Sequence, residues 1–487
     1  MEKYDVAVIG GGLLGCFAAR ELMRYDLTTV LIEKREDVCT GISRANSAIV
    51  YPGYDHKPGT VKQSLTLKAN RIFDALCNEL QVPFSRCGSL MVSFGEKADA
   101  VLRAKYENGA GCGVPGLRLI SGGEAREMER TLADNIRSAL YAPSAGTVDP
   151  WQLCCAAFEN AVYNGCEVRM DTAVRSIRRQ AGGYVLETDG GELFASAVVN
   201  CAGLAADRVH ELLFPPKVRI FPQGSDYTVL EPTDRALRHI VQHESENGKG
   251  ITAVPAVDGR ILLESAERES EKELSAVSGE GLKEIRSLAD TVLPGLRNAA
   301  AIRNFAAVRP IIRSVKYENG KYVPDGKSIG SFAIEHPEPG FLSFIGIKTP
   351  GLTCSRELGA MAAEKMAAYL DAKMRSDFVP ERRKIIKPAE LSFAERAALI
   401  ANDPDYGEIV CLCGEISRGE IREAIRRGAV TVDGVKRRCG VMLGECQGSR
   451  CAYTIAELIS RELNIPLESV TISGAGTSFA GGCHGQS

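Results

Sequence analysis

Three glycines and four cysteines carry the chemistry most open to reading. Gly10, Gly12 and Gly15 stand at G-x-G-x-x-G spacing in YDVAVIGGGLLG. That spacing suits a dinucleotide. The first glycine permits a tight turn, the second lets backbone approach a pyrophosphate, and the third lets a helix pack on a strand. Free N–H groups and the positive dipole end of the helix then face the phosphates. Glu33, at the end of TTVLIE, stands where an acid holds a ribose hydroxyl. Cys411 and Cys413 form C-x-C, and Cys446 and Cys451 form C-x4-C further on. Four thiolates suit either zinc or an iron–sulfur cluster. Zinc sites favour wider pairs, so the tight C-x-C is unusual for zinc.

These residues need elements to hold them. Val6, Val8 and Ile9 form a short apolar strand, and CFAARELMRY after the glycines has a helical pattern. Residues 34–60 read as one long loop of the kind that usually serves a function. A helix is expected over 61–80, a strand pair in FSRCGSLMVSF, and a helix over 96–110. Asp149 caps a further helix with Pro150 at its first position. Strands alternate over 166–203. The apolar run AVVNCAGLAAD, residues 197–207, is able to return to the first sheet and bring Gly203 to the dinucleotide. Residues 216–325 are β-rich with one helix near 279–293. The strand FLSFIGI, the loop 348–355 and a helix over 356–370 return to the earlier style. Residues 373–405 read as a linker with a short helix, and the Gly- and Ser-rich end as a flexible tail.

The chain has 487 residues, 45% apolar, with net charge −3. That size permits two to four domains. The charge offers no global field for nucleic acid or membrane. No apolar run reaches transmembrane length, and the first residues belong to a nucleotide fold rather than a signal peptide. Sixteen cysteines, scattered except near the C-terminus, suit a reducing cytoplasm with some metal-bound thiolates. Cys439 and Cys483 fall outside the four-ligand pattern and read as free thiols. A Cys483–His484 metal site is the weaker reading of that pair. Arg422, Arg426, Arg427, Lys436, Arg437 and Arg438 are expected to form a basic face, suited to an acidic redox partner.

IGGGLLG, GISRANSAIVYPGYDHKPGT, VVNCAGLAAD, NFAAVRP and GIKTPGLT resemble the FAD-dependent oxidoreductases of the glycerol-3-phosphate and L-2-hydroxyglutarate dehydrogenase kind. VCLCGEIS and GVKRRCGVMLGECQGSRC resemble the bacterioferritin-associated-ferredoxin-like [2Fe–2S] domain. The resemblance implies an α/β fold: a Rossmann-like FAD-binding domain from residues 1–85, 140–215 and 326–372, and an inserted β-rich substrate domain from 86–139 and 216–325. A linker (373–405), a small helical [2Fe–2S] domain (406–465) and the Gly-rich tail (466–487) follow.

It further implies FAD on Gly10, Gly12, Leu13, Leu14, Gly15, Glu33 and Lys34. Ser43, Arg44, Asn46 and Ser47 would back the flavin ring, Val174, Ala202 and Gly203 would complete the cradle, and Gly351, Leu352 and Thr353 would meet the pyrimidine edge. Cys411, Cys413, Cys446 and Cys451 would hold the cluster. Arg309 is the first choice for a substrate anion and Arg313 the second.

Two departures stand out. Tyr51 stands where relatives carry a histidine, and tyrosine is a poor base at neutral pH; His56 lies nearby in sequence. Lys348, the third candidate for substrate binding after Arg309 and Arg313, stands where an acid is usual, and PQGSDYTVL also departs from its relatives. The leading expectation is oxidation of a small anionic secondary alcohol, best sn-glycerol 3-phosphate, by hydride transfer to flavin N5. Electrons would leave through [2Fe–2S] to a second subunit of a hetero-oligomer, cytoplasmic or held at the membrane by that partner. A 2-hydroxy-acid, amine or opine dehydrogenase is the second expectation, and a non-catalytic electron-transfer subunit the third.

Overall fold

The computed structural model describes residues 1–232, 237–245, 248–264, 267–270 and 276–480. Cys483 and His484 lie outside them.

The strand Glu2–Ile9 sits centrally in an eight-stranded sheet, parallel to Thr29–Ile32 on one side and Gly191–Asn200 on the other. Val6 and Val8 are fully buried, as expected where helices cover a parallel sheet. Three helices, Leu13–Leu22, Pro150–Tyr163 and Gly351–Leu370, supply buried residues to that core. Asp149 caps the second of them by accepting from the Trp151 and Gln152 N–H groups. Phe341–Ile345 runs parallel to Gly191–Asn200, so the late chain does return to the first sheet.

A second, ten-stranded sheet takes strands from Ser89 to Ala142 and from Val218 to Ile329. The helix Gly279–Val292 packs on one face through Ile285, Ala289 and Val292. The small C-terminal unit has a two-strand hairpin and the helices Arg418–Arg426, Val432–Cys439 and Ala452–Leu463. Its core includes Ile421, Val435, Ile455 and Ile459.

Four readings change. Phe84–Ser85 and Ser89–Ser93 do not pair with each other. The first joins a three-stranded sheet with Ile49–Val50 and Gly146–Val148, the second joins the large sheet, and Gly88 turns the chain between them at φ +73. The helix expected from 356 begins at Gly351. The linker 373–405 has its short helix at Phe393–Asn402, but its first part is packed along the first domain: Val379 N–H donates to Asn164, and the Pro380 carbonyl accepts from buried Arg20. Residues 467–480 are not a free tail. Val470 is buried in the C-terminal core, Phe479 packs against it, and the Thr471 and Ile472 carbonyls accept from Val432 and Asp433.

Among the described residues no helix is long and apolar enough to cross a membrane.

Candidate active site and cluster site

The glycine turn is built as its sequence demands. Gly10 has φ +109, and a Cβ there would stand 2.6 Å from the Cys201 carbonyl. A Cβ on Gly15 would overlap the Gly10 carbonyl oxygen. At Gly12 the added carbon meets only Ser43 Oγ, at 3.4 Å. The space above Gly12, at the start of the helix Leu13–Leu22, is thus open to a phosphate. Ser43 Oγ accepts from Leu13 N–H at 2.9 Å, so the 41–47 loop is moored to that helix end. Asn46 donates to the Ser43 carbonyl and accepts from Ala48 N–H, holding the loop's shape.

Glu33 is 8% exposed and accepts from Gly11 N–H at 2.5 Å and Arg35 N–H at 2.9 Å. Burial raises its pKa, and those two amides oppose the rise. Thr172 N–H donates to the Glu33 carbonyl, which places Val174 near the same strand end. Cys201 N–H donates to Ile9 O, and Gly203 at φ +59 lies beside Ile42. Leu14 packs beside Leu13 in the helix core, while Lys34 and Arg44 are exposed.

Thr353, in the first turn of Gly351–Leu370, accepts from Tyr51 N–H at 3.0 Å. This joins the 47–51 loop to Gly351 and Leu352, with the positive end of the helix beside it.

The large sheet presents one face to Tyr51. Across neighbouring strands Gln242, Thr252, Glu264, Tyr227 and Phe305 stand in register, and Arg309 lies four residues along from Phe305. Tyr227 and Phe305 stack with centroids 4.6 Å apart. The Arg309 guanidinium pairs with Glu264 and Glu267, and lies 3.5 Å from the Tyr227 hydroxyl. The Glu264 side chain is 1% exposed. Glu264, Glu267, Tyr227 and Phe305 escape a reading of the sequence. The departures at Tyr51, Lys348 and PQGSDYTVL signalled a changed pocket without showing which side chains line it.

Arg309 therefore already grips two carboxylates. Arg313 does not join it: its guanidinium lies over Phe221, 5.3 Å from the ring centroid, further along the strand. Burial raises the pKa of Tyr51, and pushes Tyr227 up to about 12, so both keep their protons at neutral pH. Burial, with Lys62 nearby, brings His56 down to about 4, leaving it neutral. Its Nε2 is buried without a partner. Burial lowers Lys348, and burial together with Lys348 brings Lys62 to about 8.

In the C-terminal unit, Cys413 and Cys446 Sγ are 3.5 Å apart near the surface, while Cys411 and Cys451 are buried at 2% and 1% exposure and interact with each other. A Cβ on Gly444 would stand 2.5 Å from Cys413 Cβ, so the loops close tightly only with glycine there. Among the described residues no three His, Cys, Asp or Glu side chains gather as a cage for one ion. Two thiol pairs, one outer and one inner, fit a two-iron cluster better than a single zinc. Cys439 is buried in the same core and donates to the Val435 carbonyl.

The expected basic face is not one. Arg437 and Arg438 are buried against Asp37, Lys436 is 4% exposed, and Arg427 pairs with Glu159 and Glu423. Arg422 pairs with Asp405 and Glu462, and Arg426 with Glu462. Most of these charges serve contacts within the chain.

Fold, glycine cradle and thiol pairs together define a flavin oxidoreductase with an attached cluster unit. The chain belongs to the FAD dependent oxidoreductase family, whose model matches residues 5–365, and a BFD-like [2Fe-2S] binding domain matches residues 409–461. Its cofactors are FAD and a [2Fe–2S] cluster. It is 37% identical over 475 residues to a glycerol 3-phosphate dehydrogenase of Caloramator mitchellensis, covering 96% of each chain. It is 25% identical over 501 residues to the anaerobic glycerol-3-phosphate dehydrogenase subunit A1 of Haloferax volcanii, covering 94% of this chain and 83% of that one. The FAD-bound L-alpha-glycerophosphate oxidase of Mycoplasma pneumoniae shares the fold, with TM-score 0.70 and 21% identity over 78% of this chain and 99% of that one.

Proposed function

We propose that this enzyme oxidises sn-glycerol 3-phosphate to dihydroxyacetone phosphate. The observation that carries the reading is the likeness, along nearly the full length, to a glycerol 3-phosphate dehydrogenase. When bound, FAD supplies the hydride acceptor. Gly10–Gly15, Glu33, the 43–47 loop, Val174, Ala202–Gly203 and Gly351–Thr353 hold and orient it. The positive end of Gly351–Leu370 favours negative charge beside that loop.

The chain's own residues must bind the substrate and take its hydroxyl proton. Tyr51 and Tyr227 keep their protons and serve as hydrogen-bond donors. The carboxylates on Arg309, beside Tyr227, are the groups best placed to accept one, while neutral His56, brought down to about 4, is a weak acceptor. Arg309 orients the carboxylates and, with Lys348 and Lys62, leaves the pocket attractive to a phosphate. Held by Cys411, Cys413, Cys446 and Cys451, a [2Fe–2S] cluster would supply a one-electron exit toward a partner subunit. The name of the Haloferax relative, a subunit, supports that route.

Anaerobic addition of glycerol 3-phosphate should bleach the flavin absorbance. No bleaching by this substrate overturns the reading. The Glu264–Arg309–Glu267 group favours one second reading, an amino or imino acid whose cationic nitrogen meets a carboxylate. Proline-like amines and 2-hydroxyglutarate belong in the same assay. Bleaching by none of them leaves an electron-transfer subunit.

Arg309→Lys keeps the charge but loses the planar fork that spans two carboxylates. The Michaelis constant for glycerol 3-phosphate should rise about tenfold, equivalent to ~1.4 kcal/mol, with FAD content unchanged. Steady-state kinetics beside flavin absorbance checks this. An unchanged constant removes Arg309 from substrate handling.

A further inference from the structure

The segment from Glu33 to Cys39 touches two sites at once. At one end Glu33 accepts from Gly11 N–H, and at the other Cys39 N–H donates to the Gly11 carbonyl at 3.0 Å. Both ends are therefore fixed to the glycine turn that faces the pyrophosphate. Its middle points the other way. Asp37 Oδ1 accepts from Arg438 at 2.8 Å, and Oδ2 accepts from Arg438 at 2.7 Å and Arg437 at 2.8 Å. All three side chains are at most 3% exposed.

The partners lie four hundred residues away in sequence, on the helix Val432–Cys439 of the cluster unit. Gly434 of that helix lies so close that an added Cβ would stand 3.0 Å from Asp37 Oδ2. The neighbouring Glu36 lies against Gly474, in the stretch that completes the cluster unit's core. Further contacts seat the unit on the helix Pro150–Tyr163. Gln152 donates to the Arg437 carbonyl at 3.1 Å and to that of Arg438. Glu159 accepts from Arg427 at 2.9 Å and from Arg382 at 2.8 Å. Trp151 donates to the Arg44 carbonyl at 2.8 Å, while the Lys436 ammonium lies 5.9 Å from its ring centroid.

A buried carboxylate with two buried guanidinium groups is stable only while all three are together, because removing one side leaves an uncompensated charge. Undocking of the cluster unit would strip Asp37 of its partners and free the middle of a segment whose two ends shape the glycine turn. We propose that Asp37 makes the FAD cradle and the docked cluster unit one thermodynamic unit, so that FAD binding and docking stabilise each other. The coupling is reciprocal: the factor by which docking tightens FAD is the factor by which FAD tightens docking. The cluster unit is then a fixed part of the flavoprotein rather than a swinging arm.

The test uses the full-length holoprotein and two variants. Asp37→Asn removes the charge at the shared segment. Glu159→Gln weakens docking from a position that does not touch the glycine turn. Docking is read by tryptic cleavage after Lys436, Arg437 and Arg438, all shielded in the docked state. FAD affinity is read by rebinding of FAD to apoprotein. Both variants should raise the cleavage rate and weaken FAD at least fivefold, and stripping FAD from the unaltered protein should also speed cleavage. Retained helical circular dichroism separates these effects from global unfolding. If Glu159→Gln speeds cleavage but leaves FAD affinity unchanged, or if stripping FAD leaves cleavage unchanged, the coupling is absent.

Discussion

Gly12→Val should give a folded protein that holds no FAD, and Gly15→Ala a protein whose glycine turn does not form. The two glycines serve the same motif for different physical reasons. At Gly15 the obstacle is the chain itself, since the new carbon would overlap the Gly10 carbonyl oxygen. The helix Leu13–Leu22 must then move off the strand Glu2–Ile9, in a core where Cys16, Phe17 and Ala18 are fully buried. At Gly12 the protein offers open space, with only Ser43 Oγ nearby at 3.4 Å. Valine would fill the space meant for the pyrophosphate and block backbone N–H groups from reaching it. Two charge-assisted bonds lost cost roughly 3–6 kcal/mol, a 10²–10⁴-fold loss of affinity. Flavin absorbance after desalting and circular dichroism melting separate the two outcomes. Gly12→Val that remains yellow, or Gly15→Ala that melts like the unaltered protein, contradicts this account.

The glycine turn was legible because its cause is local. Strand, turn and helix follow within a few residues, and each glycine answers a contact made by close neighbours. Asp149 with Pro150 was legible for the same reason. The substrate face was not. Tyr227, Glu264 and Arg309 come from three strands, and strand register alone puts them together. In sequence, Glu264 is one acid at the end of an apolar strand. Arg309 was visible as a cation, but nothing in NFAAVRP tells that two carboxylates hold it. The basic run at 436–438 misled for the converse reason. A charge shows in sequence whereas its partner does not, and Asp37 lies four hundred residues earlier. The helix from Gly351 was placed too late because Pro, Gly and Thr read as loop. Yet Pro350 stands just before the helix, and Thr353 receives Tyr51 N–H across the fold.

The cysteines of the C-terminal unit should bind two irons and two sulfides per chain, and their substitutions should divide by burial. Cys413 and Cys446 form the outer pair, Cys411 and Cys451 the inner. Cys413→Ser should lose the iron because a [2Fe–2S] centre needs all four thiolates. It should keep the helices around Ile421, Val435 and Ile455, which have their own apolar core, and the unit should remain docked through Arg437 and Arg438. Cys451→Ser should lose iron and also stability. Cys451 is 1% exposed inside that core, and serine there puts a hydroxyl where a thiol packed. A buried hydroxyl without a partner costs about 1–3 kcal/mol. In both variants the flavin site is intact, so substrate should still bleach the flavin while transfer to an external one-electron acceptor falls. Iron and sulfide analysis, low-temperature EPR after dithionite reduction and thermal melts measure each part. Stoichiometric zinc with no EPR signal after anaerobic purification would mean that the four thiols hold a structural metal. The C-terminal unit would then brace the flavin domain without carrying its electrons.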